Sequence, residues 1–295
     1  MPRLIINSSY LFSILLVILL AQPIFAKTGI LLVAFGSSVP GAEKAYAAIE
    51  KEWREAFPDS PMVWAWTSQK IRKKMQKSGK DALGIAQGLD QLAKDGADTV
   101  FIQSLHMTAG QEFSGLARSA LLYVSKNPKK FNAVYLGRPL LESADDAQKV
   151  IAAALDDLKS ERKPDEAIIF MAHGNPTGRS DLILEGAAGI FKETDRLVYL
   201  GGVEGAKNID DIIKQLKSQN ISKVWLAPLM VVAGDHAHND MAGADADSWA
   251  NKLRNAGFDV SINLKGLGEI PGIAEIFIEH SRENNDDLTK EPIKP

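Results

Sequence analysis

Short apolar runs alternate with amphipathic, helix-length segments along most of the chain after residue 27. The apolar runs are continuous or rich in β-branched residues, as is typical of strands that helices cover on both faces. Eight strands are predicted, at Ile30–Phe35, Met62–Trp66, Thr99–Ser104, Ala133–Leu136, Ala167–Ala172, Leu197–Leu200, Val224–Val232 and Val260–Asn263. The amphipathic segments between them include Ala42–Phe57, Asp81–Asp95, Asp145–Leu158, Asp210–Ser218 and Ser248–Ala256. This alternation predicts an α/β protein with parallel sheets flanked by helices.

The two halves of the chain resemble each other. Residues 30–37 are similar to residues 168–175, and residues 100–110 are similar to residues 224–234. The repeat is too long to be a solenoid unit. It predicts two similar lobes, each with a parallel four-stranded sheet, and a cleft between them. A charged segment near Pro164 is the predicted linker, so we predict an N-terminal lobe at residues 27–162 and a C-terminal lobe at residues 163–282. Residues 283–295 are predicted to be a disordered tail.

Residues 1–26 are predicted to be a secretory signal peptide and not part of the fold. Arg3 supplies positive charge, residues 11–21 are almost wholly apolar, and Ala26 offers a small residue at a cleavage point. The apolar stretch is shorter than the roughly 20 residues that a membrane span needs, although an uncleaved anchor is the alternative. We therefore expect a periplasmic protein with no stable membrane span after cleavage.

Composition narrows the chemistry. The chain has 295 residues, of which 45% are hydrophobic and 24% charged, and this balance is that of a globular protein with a substantial core. A formal net charge of −3 gives no indication of a nucleic-acid partner. The chain has no cysteine, which excludes disulfides, thiolate metal sites and cysteine nucleophiles. The glycine loops at Gly36 and Gly174 complete neither a dinucleotide-binding nor a phosphate-binding motif.

Side chains that commonly bind metals follow three strands of the second half. His173 follows the strand at 167–172, Glu204 lies in the glycine-rich loop after 197–200, and His236 follows the run at 224–232. The carboxyl ends of parallel strands share one edge of a sheet, where α/β proteins bind ligands. Two imidazoles and one carboxylate are a common ligand set for a borderline divalent cation. The sequence therefore predicts a metal site made by His173, Glu204 and His236.

The internal repeat supports this placement. His173 aligns with Phe35 of the first half, and His236 aligns with Glu112. Both histidines are thus loop residues that distinguish the second half from the first, on a scaffold that the two halves share. We therefore expect the chemistry mainly in the C-terminal lobe.

Each of these residues also has a purely structural interpretation. His173 alone would fit a strand-end histidine bonded to a backbone carbonyl, and Glu204 would suit the positive end of the following helix. Asp235 and Asp240 are expected to orient a neighbouring side chain or to cap a helix. His238 is expected in a supporting or solvent-exposed position. The coincidence of three potential ligands at one sheet edge favours the metal site.

A basic run, Lys70-Ile71-Arg72-Lys73-Lys74, follows the second predicted strand. Such a run is compatible with a solvated helix face. It is also compatible with a surface that binds an anionic ligand, and the sequence leaves both interpretations open.

Five segments together resemble one protein family. They are Phe35-Gly36-Ser37-Ser38, Trp66-Thr67-Ser68 with the basic run, Ala172-His173-Gly174-Asn175-Pro176, Gly202-Val203-Glu204-Gly205 and Ala233-Gly234-Asp235-His236-Ala237-x-Asn239-Asp240-Met241. Their order and spacing, from about Thr28 to His280, are similar to those of the anaerobic cobalt chelatases, the CbiK-type sirohydrochlorin cobaltochelatases. The last segment is the most specific of the five.

The resemblance implies a class II chelatase, with two ferrochelatase-like lobes and a tetrapyrrole cleft between them. It implies insertion of Co²⁺ into sirohydrochlorin without ATP, with His173, Glu204 and His236 as metal ligands and catalytic residues. No cofactor is implied beyond the substrate metal, for which Fe²⁺ or Ni²⁺ are alternatives. The expected partners are the tetrapyrrole and the metal, and self-association is left open. The implied substrate contacts are Ser37, Trp66, Thr67, Ser68, Arg72 and Met107.

Two other functions stay open at this point. Tetrapyrrole synthesis is cytoplasmic, so an exported relative could instead be a non-enzymatic periplasmic carrier of a metal, haem or another tetrapyrrole. A two-lobed solute-binding protein is the third hypothesis. Catalytic metal insertion would separate the chelatase from both.

Overall fold

Two parallel four-stranded sheets form the frame of the protein. The computed structural model describes residues 27–283 and 285–290, so the predicted signal peptide lies outside the described residues. The first sheet has the order β2-β1-β3-β4, and the second has the order β6-β5-β7-β8. The second order repeats the first, which confirms the predicted fold class. The strands are β1 (Thr28–Ala34), β2 (Met62–Trp66), β3 (Thr99–Ser104), β4 (Ala133–Gly137), β5 (Ala167–Ala172), β6 (Val198–Gly202), β7 (Lys223–Pro228) and β8 (Asp259–Ile262).

Helices connect successive strands, as parallel pairing requires. Within the described residues the α-helices are α1 (Ala42–Ala56), α2 (Gln69–Lys77), α3 (Ile85–Lys94), α4 (Gln111–Lys126), α5 (Ala144–Leu158), α6 (Arg179–Thr194), α7 (Ile209–Ser218), α8 (Trp249–Asn255) and α9 (Ile273–Arg282). A π-helical turn spans Ala237–Met241, and a 3₁₀ turn spans Leu267–Glu269. Over the same part of the chain, none of the helices is long and apolar enough to cross a membrane.

One predicted strand is shorter than its apolar run. The run from Val224 to Val232 predicted a single strand, but β7 ends at Pro228. The residues beyond it form a buried loop, in which Leu229 donates its N–H to Met171 O and Met230 accepts from Leu267 N. An apolar run indicates that a segment is buried but not that it is a strand. A buried loop whose backbone N–H and C=O groups are hydrogen-bonded has the same apolar composition as a buried strand.

The two lobes share one apolar core. A single cluster of buried side chains contains Ile30 and Leu32 of β1 together with Ile168 and Phe170 of β5. Val150 of α5 and Phe277 of α9 belong to the same cluster. Each outer face has its own smaller cluster, one for each sheet. The lobes are therefore packed against each other over their inner faces.

The C-terminal helix crosses back to the first lobe. Helix α9 packs against α1, β3 and β4, although its sequence lies in the predicted C-terminal lobe. Helix α5 packs in turn against α6 of the second half. The predicted division at residue 162 therefore describes the order of the chain but not the packing of α9.

Part of the predicted disordered tail is also ordered against β4. Tyr135 forms an antiparallel bridge with Asp287, and Leu288 donates its N–H to Val134 O at 2.8 Å. Leu288 is also buried. Its apolar side chain gives residues 285–290 an anchor that their charged composition does not suggest.

A buried polar network fixes α9 to the first lobe. His280 lies 3.0 Å from Asp146 through Nε2 and 3.2 Å from the Arg138 carbonyl through Nδ1. Arg138 contacts Asp146 at 3.1 Å and forms a second ion pair with Glu283. Asp146 also accepts the Ser143 N–H in a capping box that begins α5. Burial works to raise the pKa of Asp146, but the hydrogen bonds from His280 and Ser143 and the charge of Arg138 outweigh it and lower that pKa.

Replacing Asp146 by Asn tests this network. Because the folded pKa of Asp146 is lowered, its stabilisation is present above about pH 4 and is lost as the pH falls through the folded value. We expect Asp146→Asn to lower the free energy of unfolding by about 3 kcal/mol at neutral pH, since it breaks a buried charge pair. The acid-induced loss of stability should also become shallower, as measured by urea unfolding at a series of pH values.

The neighbouring Asp145 provides a matched control. Its side chain is 71% exposed and pairs with Lys149 on the helix surface. Asp145→Asn should change the free energy of unfolding by no more than about 0.5 kcal/mol. Equal effects of the two substitutions would contradict the role assigned to the network.

Candidate metal centre

His173 and Glu204 are neighbours because β5 and β6 are paired. The ladder ends with Ala172 opposite Gly202. The backbone pairing continues beyond the strands, as Glu204 donates its N–H to His173 O at 2.8 Å and Val203 donates to Ala172 O at 3.0 Å. The first two predicted ligands therefore project from adjacent loops at the same edge of the second sheet.

Three glycines allow these two loops to approach closely. Gly174 has φ +80°, and a Cβ built on it would lie 2.5 Å from the backbone nitrogen of Gly205. A Cβ on Gly202 would lie 3.0 Å from Gly174 Cα and 2.9 Å from Gly205 Cα. Real side chains do not tolerate such distances, so only glycine permits this contact between backbones.

His236 completes a histidine pair. It immediately precedes the π-helical turn Ala237–Met241, a structure that occurs often at functional sites. The rings of His173 and His236 are nearly perpendicular, at 88°, with 4.6 Å between their centroids. The imidazoles that the sequence places 63 positions apart are thus side by side, with 52% of the His173 side chain and 34% of the His236 side chain exposed.

Hydrogen-bond partners define the tautomer of each imidazole. His236 Nδ1 lies 2.7 Å from Asp240 Oδ2, and His173 Nδ1 lies 2.9 Å from the carbonyl oxygen of Gly174. Because carbonyl and ionised carboxylate oxygens only accept, each Nδ1 carries the proton. The Nε2 atom of each neutral ring then keeps its lone pair for a metal, the arrangement typical of metal-binding histidines. Asp240 therefore lies where its predicted orienting role would place it, and that role stays a prediction.

Glu204 is close to the pair but does not face the same point. Its Oε2 lies 3.8 Å from His173 Nδ1, which is the ring nitrogen opposite Nε2. The Glu204 side chain is 62% exposed. Among residues 27–283 and 285–290, no three His, Asp or Glu side chains are arranged as a ready metal cluster. The structure thus brings the two histidines together and places the Glu204 side chain beside His173. The three-residue metal site stays a prediction.

The other polar residues near His236 lie at the surface. Asp235 accepts a hydrogen bond from the Asn239 side chain at 3.0 Å, and His238 is exposed. The remaining two histidines are buried elsewhere. His280 belongs to the network at α9, and burial lowers the pKa of His106 to about 4, so His106 is neutral near pH 7.

Ser37, Thr67 and Ser68 lie together at the carboxyl edge of the first sheet. Thr67 and Ser68 donate their N–H groups to Ala34 O and Phe35 O. Ser68 also caps α2 by accepting the Ile71 N–H, so its hydroxyl already has a structural partner. Ser37 faces the second lobe, since a Cβ built on Gly234 would lie 3.6 Å from Ser37 Oγ.

Trp66 and Arg72 are engaged in the fold. Trp66 is 6% exposed and stacks on Trp64, with 5.3 Å between ring centroids. Arg72 Nη1 donates to the carbonyls of Trp66 and Thr67 at 2.5 and 3.2 Å. Their contacts with a substrate stay predictions, limited by these existing partners. The lysines of the basic run are exposed on α2, a helix without buried residues, as the solvated-face interpretation requires.

The two carboxyl edges face each other. Thr108 Oγ1 donates to Ser180 Oγ at 3.1 Å, and Arg179 donates to Ser114 Oγ at 2.6 Å, so α6 of the second half contacts the loop and helix after β3. Met107 is half-buried beside this junction. The histidine pair and the predicted substrate residues therefore belong to edges that meet.

Two residues at these edges were not among the predicted site residues. Phe35 is 47% exposed at the end of β1, the position that His173 occupies in the other half. Asp181, in the first turn of α6, accepts N–H groups from the loops of both His173 and Glu204. The repeat pointed to Phe35 as the counterpart of His173, but an acid in a first helical turn gave no sign of its partners.

A family comparison gives this arrangement its context. The model of the family described as cobalt chelatase (CbiK) matches residues 28–285. The chain belongs to this family. The sirohydrochlorin cobaltochelatase CbiKC of Nitratidesulfovibrio vulgaris is 34% identical over 256 residues, which cover 86% of this chain and 89% of that protein. The sirohydrochlorin cobaltochelatase of Salmonella typhimurium is 35% identical over 257 residues, covering 86% and 95%.

Solved structures support the CbiK fold assignment. SirB from Bacillus subtilis with Fe³⁺ superposes with a TM-score of 0.64 at 15% identity, covering 88% of this chain and 95% of that one. CbiX, from sirohaem biosynthesis in denitrifying bacteria, gives a TM-score of 0.56 at 18% identity, covering 88% and 100%. At these identities the likeness concerns the fold alone, which is the chelatase fold expected of a CbiK family member.

The Asp240–His236 contact can be tested by metal binding. Asp240→Asn removes the charge that favours protonation of Nδ1, so Nε2 becomes a weaker metal ligand. We expect the dissociation constant for Co²⁺ to rise about tenfold, the lower end of the range for outer-shell substitutions, in isothermal titration calorimetry. Asp235→Asn, which changes a neighbouring exposed acid, should leave that constant unchanged. Equal Co²⁺ affinity in wild type and Asp240→Asn would contradict the orienting role.

Proposed function

We propose that this chain is a sirohydrochlorin cobaltochelatase, which inserts Co²⁺ into the tetrapyrrole with His173, Glu204 and His236 as its metal-handling residues. The observation that carries the proposal is the pair of adjacent imidazoles, each with its Nδ1 beside an oxygen acceptor, in a member of the CbiK family. Two relatives at 34% and 35% identity are named sirohydrochlorin cobaltochelatases. The family and the local chemistry thus support the same reaction.

The reaction exchanges one divalent cation for two protons. Co²⁺ enters the macrocycle, and two pyrrole N–H groups lose their protons, so charge is conserved. Neutral imidazoles can hold the metal through Nε2 and can accept protons near pH 7. Glu204 is exposed beside His173, which suits a carboxylate that balances the charge of the cation and passes protons to solvent.

Metal preference is part of the proposal. The cobaltochelatase relatives favour Co²⁺ as the substrate metal. Imidazole and carboxylate ligands also bind Fe²⁺ and Ni²⁺, and their affinities follow the general order of the divalent metals more than the identity of the protein. We therefore propose Co²⁺ as the principal substrate, with measurable insertion of Fe²⁺ or Ni²⁺.

The first lobe would contact the macrocycle. Ser37 faces Gly234 across the junction, and Met107 lies beside the contact between Thr108 and Ser180. Sirohydrochlorin carries many carboxylates, for which the exposed lysines of α2 offer positive charge. In this arrangement the second lobe supplies the metal and the first lobe holds the tetrapyrrole.

An insertion assay tests the mechanism. We expect His173→Ala and His236→Ala each to lower the rate of Co²⁺ insertion by at least about 100-fold, the range for loss of a group that transfers protons or binds the metal. The absorbance change of sirohydrochlorin reports the rate. His238→Ala is the matched control, because His238 is an exposed histidine in the same segment and should retain wild-type turnover.

Turnover also separates the chelatase from the alternatives. A carrier of metal or tetrapyrrole would bind its ligand without catalytic insertion at substoichiometric protein concentration. Near-normal turnover of both histidine variants would contradict the assigned mechanism. Absence of turnover in the wild type, with tight tetrapyrrole binding, would replace the chelatase proposal by the carrier.

We also propose that the protein is exported to the periplasm. The proposal rests on the sequence of residues 1–26, and strand β1 begins at Thr28, two residues after the expected cleavage point. In the native host, we expect the periplasmic fraction to contain protein whose N-terminus, determined by mass spectrometry, is Lys27. Intact precursor confined to the cytoplasm would contradict export.

A further inference from the structure

We infer that Asp181 is a positioning residue for the metal centre: its carboxylate joins the loops of His173 and Glu204 and thereby sets the spacing of two metal-handling side chains. The inference rests on the proposed function, because it concerns the same centre. Asp181 lies in the first turn of α6, eight positions after His173 and 23 before Glu204 in the chain.

Each carboxylate oxygen of Asp181 holds one loop. Oδ1 accepts the N–H of Asn175 at 2.5 Å, two residues after His173. Oδ2 accepts the N–H of Ala206 at 2.7 Å, two residues after Glu204. Hydrogen bonds to an ionised acceptor are stronger and shorter than neutral ones. One side chain thus ties together the loops of two proposed ligands at the same distance along each loop.

Asp181 strengthens the contact between the two glycine loops. Gly174, Gly202 and Gly205 pack backbone against backbone, and this contact contains no side chain that could interlock the loops. Glycine also loses more conformational freedom on ordering than other residues. A Cβ on Gly205 would lie 3.4 Å from Asp181 Oδ2, so the carboxylate sits directly against the glycine contact. Asp181 therefore adds a side-chain link to the backbone hydrogen bonds that already join Glu204 to His173 and Val203 to Ala172.

Comparison with other helix starts distinguishes this role from ordinary capping. An acid in a first helical turn commonly interacts with the helix dipole or with its own cap. Asp146 does so in α5, where it accepts the N–H of Ser143. Asp211, in the first turn of α7, pairs with Lys214 on the same helix. Asp181 instead directs both oxygens away from α6, toward the two loops.

Substitution of Asp181 is expected to weaken metal binding more than tetrapyrrole binding. Loss of one loop contact should let His173 and Glu204 move apart, which weakens the metal site. Asp181 lies in the second lobe, whereas the proposed macrocycle contacts Ser37 and Met107 lie in the first. Asp181 is thus expected to affect the dissociation constant for Co²⁺ and the turnover number, and to leave the KM for sirohydrochlorin near the wild-type value.

Two substitutions of graded severity test this inference in the full-length mature protein. Asp181→Asn retains one acceptor oxygen, and Asp181→Ala removes both. We expect the dissociation constant for Co²⁺, titrated without tetrapyrrole, to rise about 10-fold in the first variant and about 100-fold in the second. The visible ligand-field spectrum of bound Co²⁺ should change in both. Asp211→Asn, an acid at the same kind of helix position in the same lobe, should behave as wild type.

The outcomes are distinguishable. Wild-type Co²⁺ affinity and spectrum in both Asp181 variants would overturn the inference. So would a parallel loss of thermal stability, Co²⁺ affinity and sirohydrochlorin binding, since that result indicates a general structural role. If Asp181→Ala does not fold, Asp181→Asn alone carries the test. A further result would refute the proposed chelatase and leave the positioning role intact. In it, the Asp181 variants bind Co²⁺ more weakly than wild type, as expected, but the wild-type protein inserts no Co²⁺ into sirohydrochlorin.

Discussion

The close contact between the two glycine loops of the second lobe is the constraint on which the rest of the site depends. Parallel pairing of β5 with β6 brings Ala172 opposite Gly202, and the backbones then continue side by side through Gly174 and Gly205. A side chain at any of these glycines would force the loops apart. Backbone packing therefore determines the separation of His173 from Glu204. The carboxylate of Asp181 adds hydrogen bonds to both loops.

The duplicated scaffold explains how one protein can handle two very different substrates. Both halves have the same strand order. In the second half the carboxyl edge of the sheet carries His173 and His236, and in the first half Phe35 and Glu112 stand at the aligned positions. A shared core and the return of α9 to the first lobe hold the two edges against each other. Under the proposed function, the second half presents the metal from one side and the first half holds the macrocycle from the other.

The sequence predicted the frame of this protein well, because its strands are covered on both faces and appear as continuous apolar runs. It overextended β7, since the buried loop after Pro228 has the same composition as a strand. It also did not show that α9, which follows the last strand of the second sheet, packs against the first lobe. Periodicity indicates that a helix has an apolar face but not which sheet that face covers, and the buried His280–Asp146 pair that anchors α9 joins residues 134 positions apart.

At the site, the sequence identified the two histidines that the structure brings together, because both follow strands of one parallel sheet. It could not show that Trp66 is buried or that Arg72 already binds backbone carbonyls, since composition does not reveal where a side chain points. It missed Asp181 for the same reason. Roles that depend on contacts between distant loops become visible only when the loops are placed in space.

The most direct test of the central claim is a crystal structure of the protein with Co²⁺, with anomalous diffraction measured at the cobalt absorption edge. The account requires one anomalous peak within coordination distance, about 2 Å, of Nε2 of both His173 and His236. Glu204 should be rotated so that a carboxylate oxygen completes the site. A peak that lies away from this pair, or one bound through the Nδ1 atoms, would contradict the account.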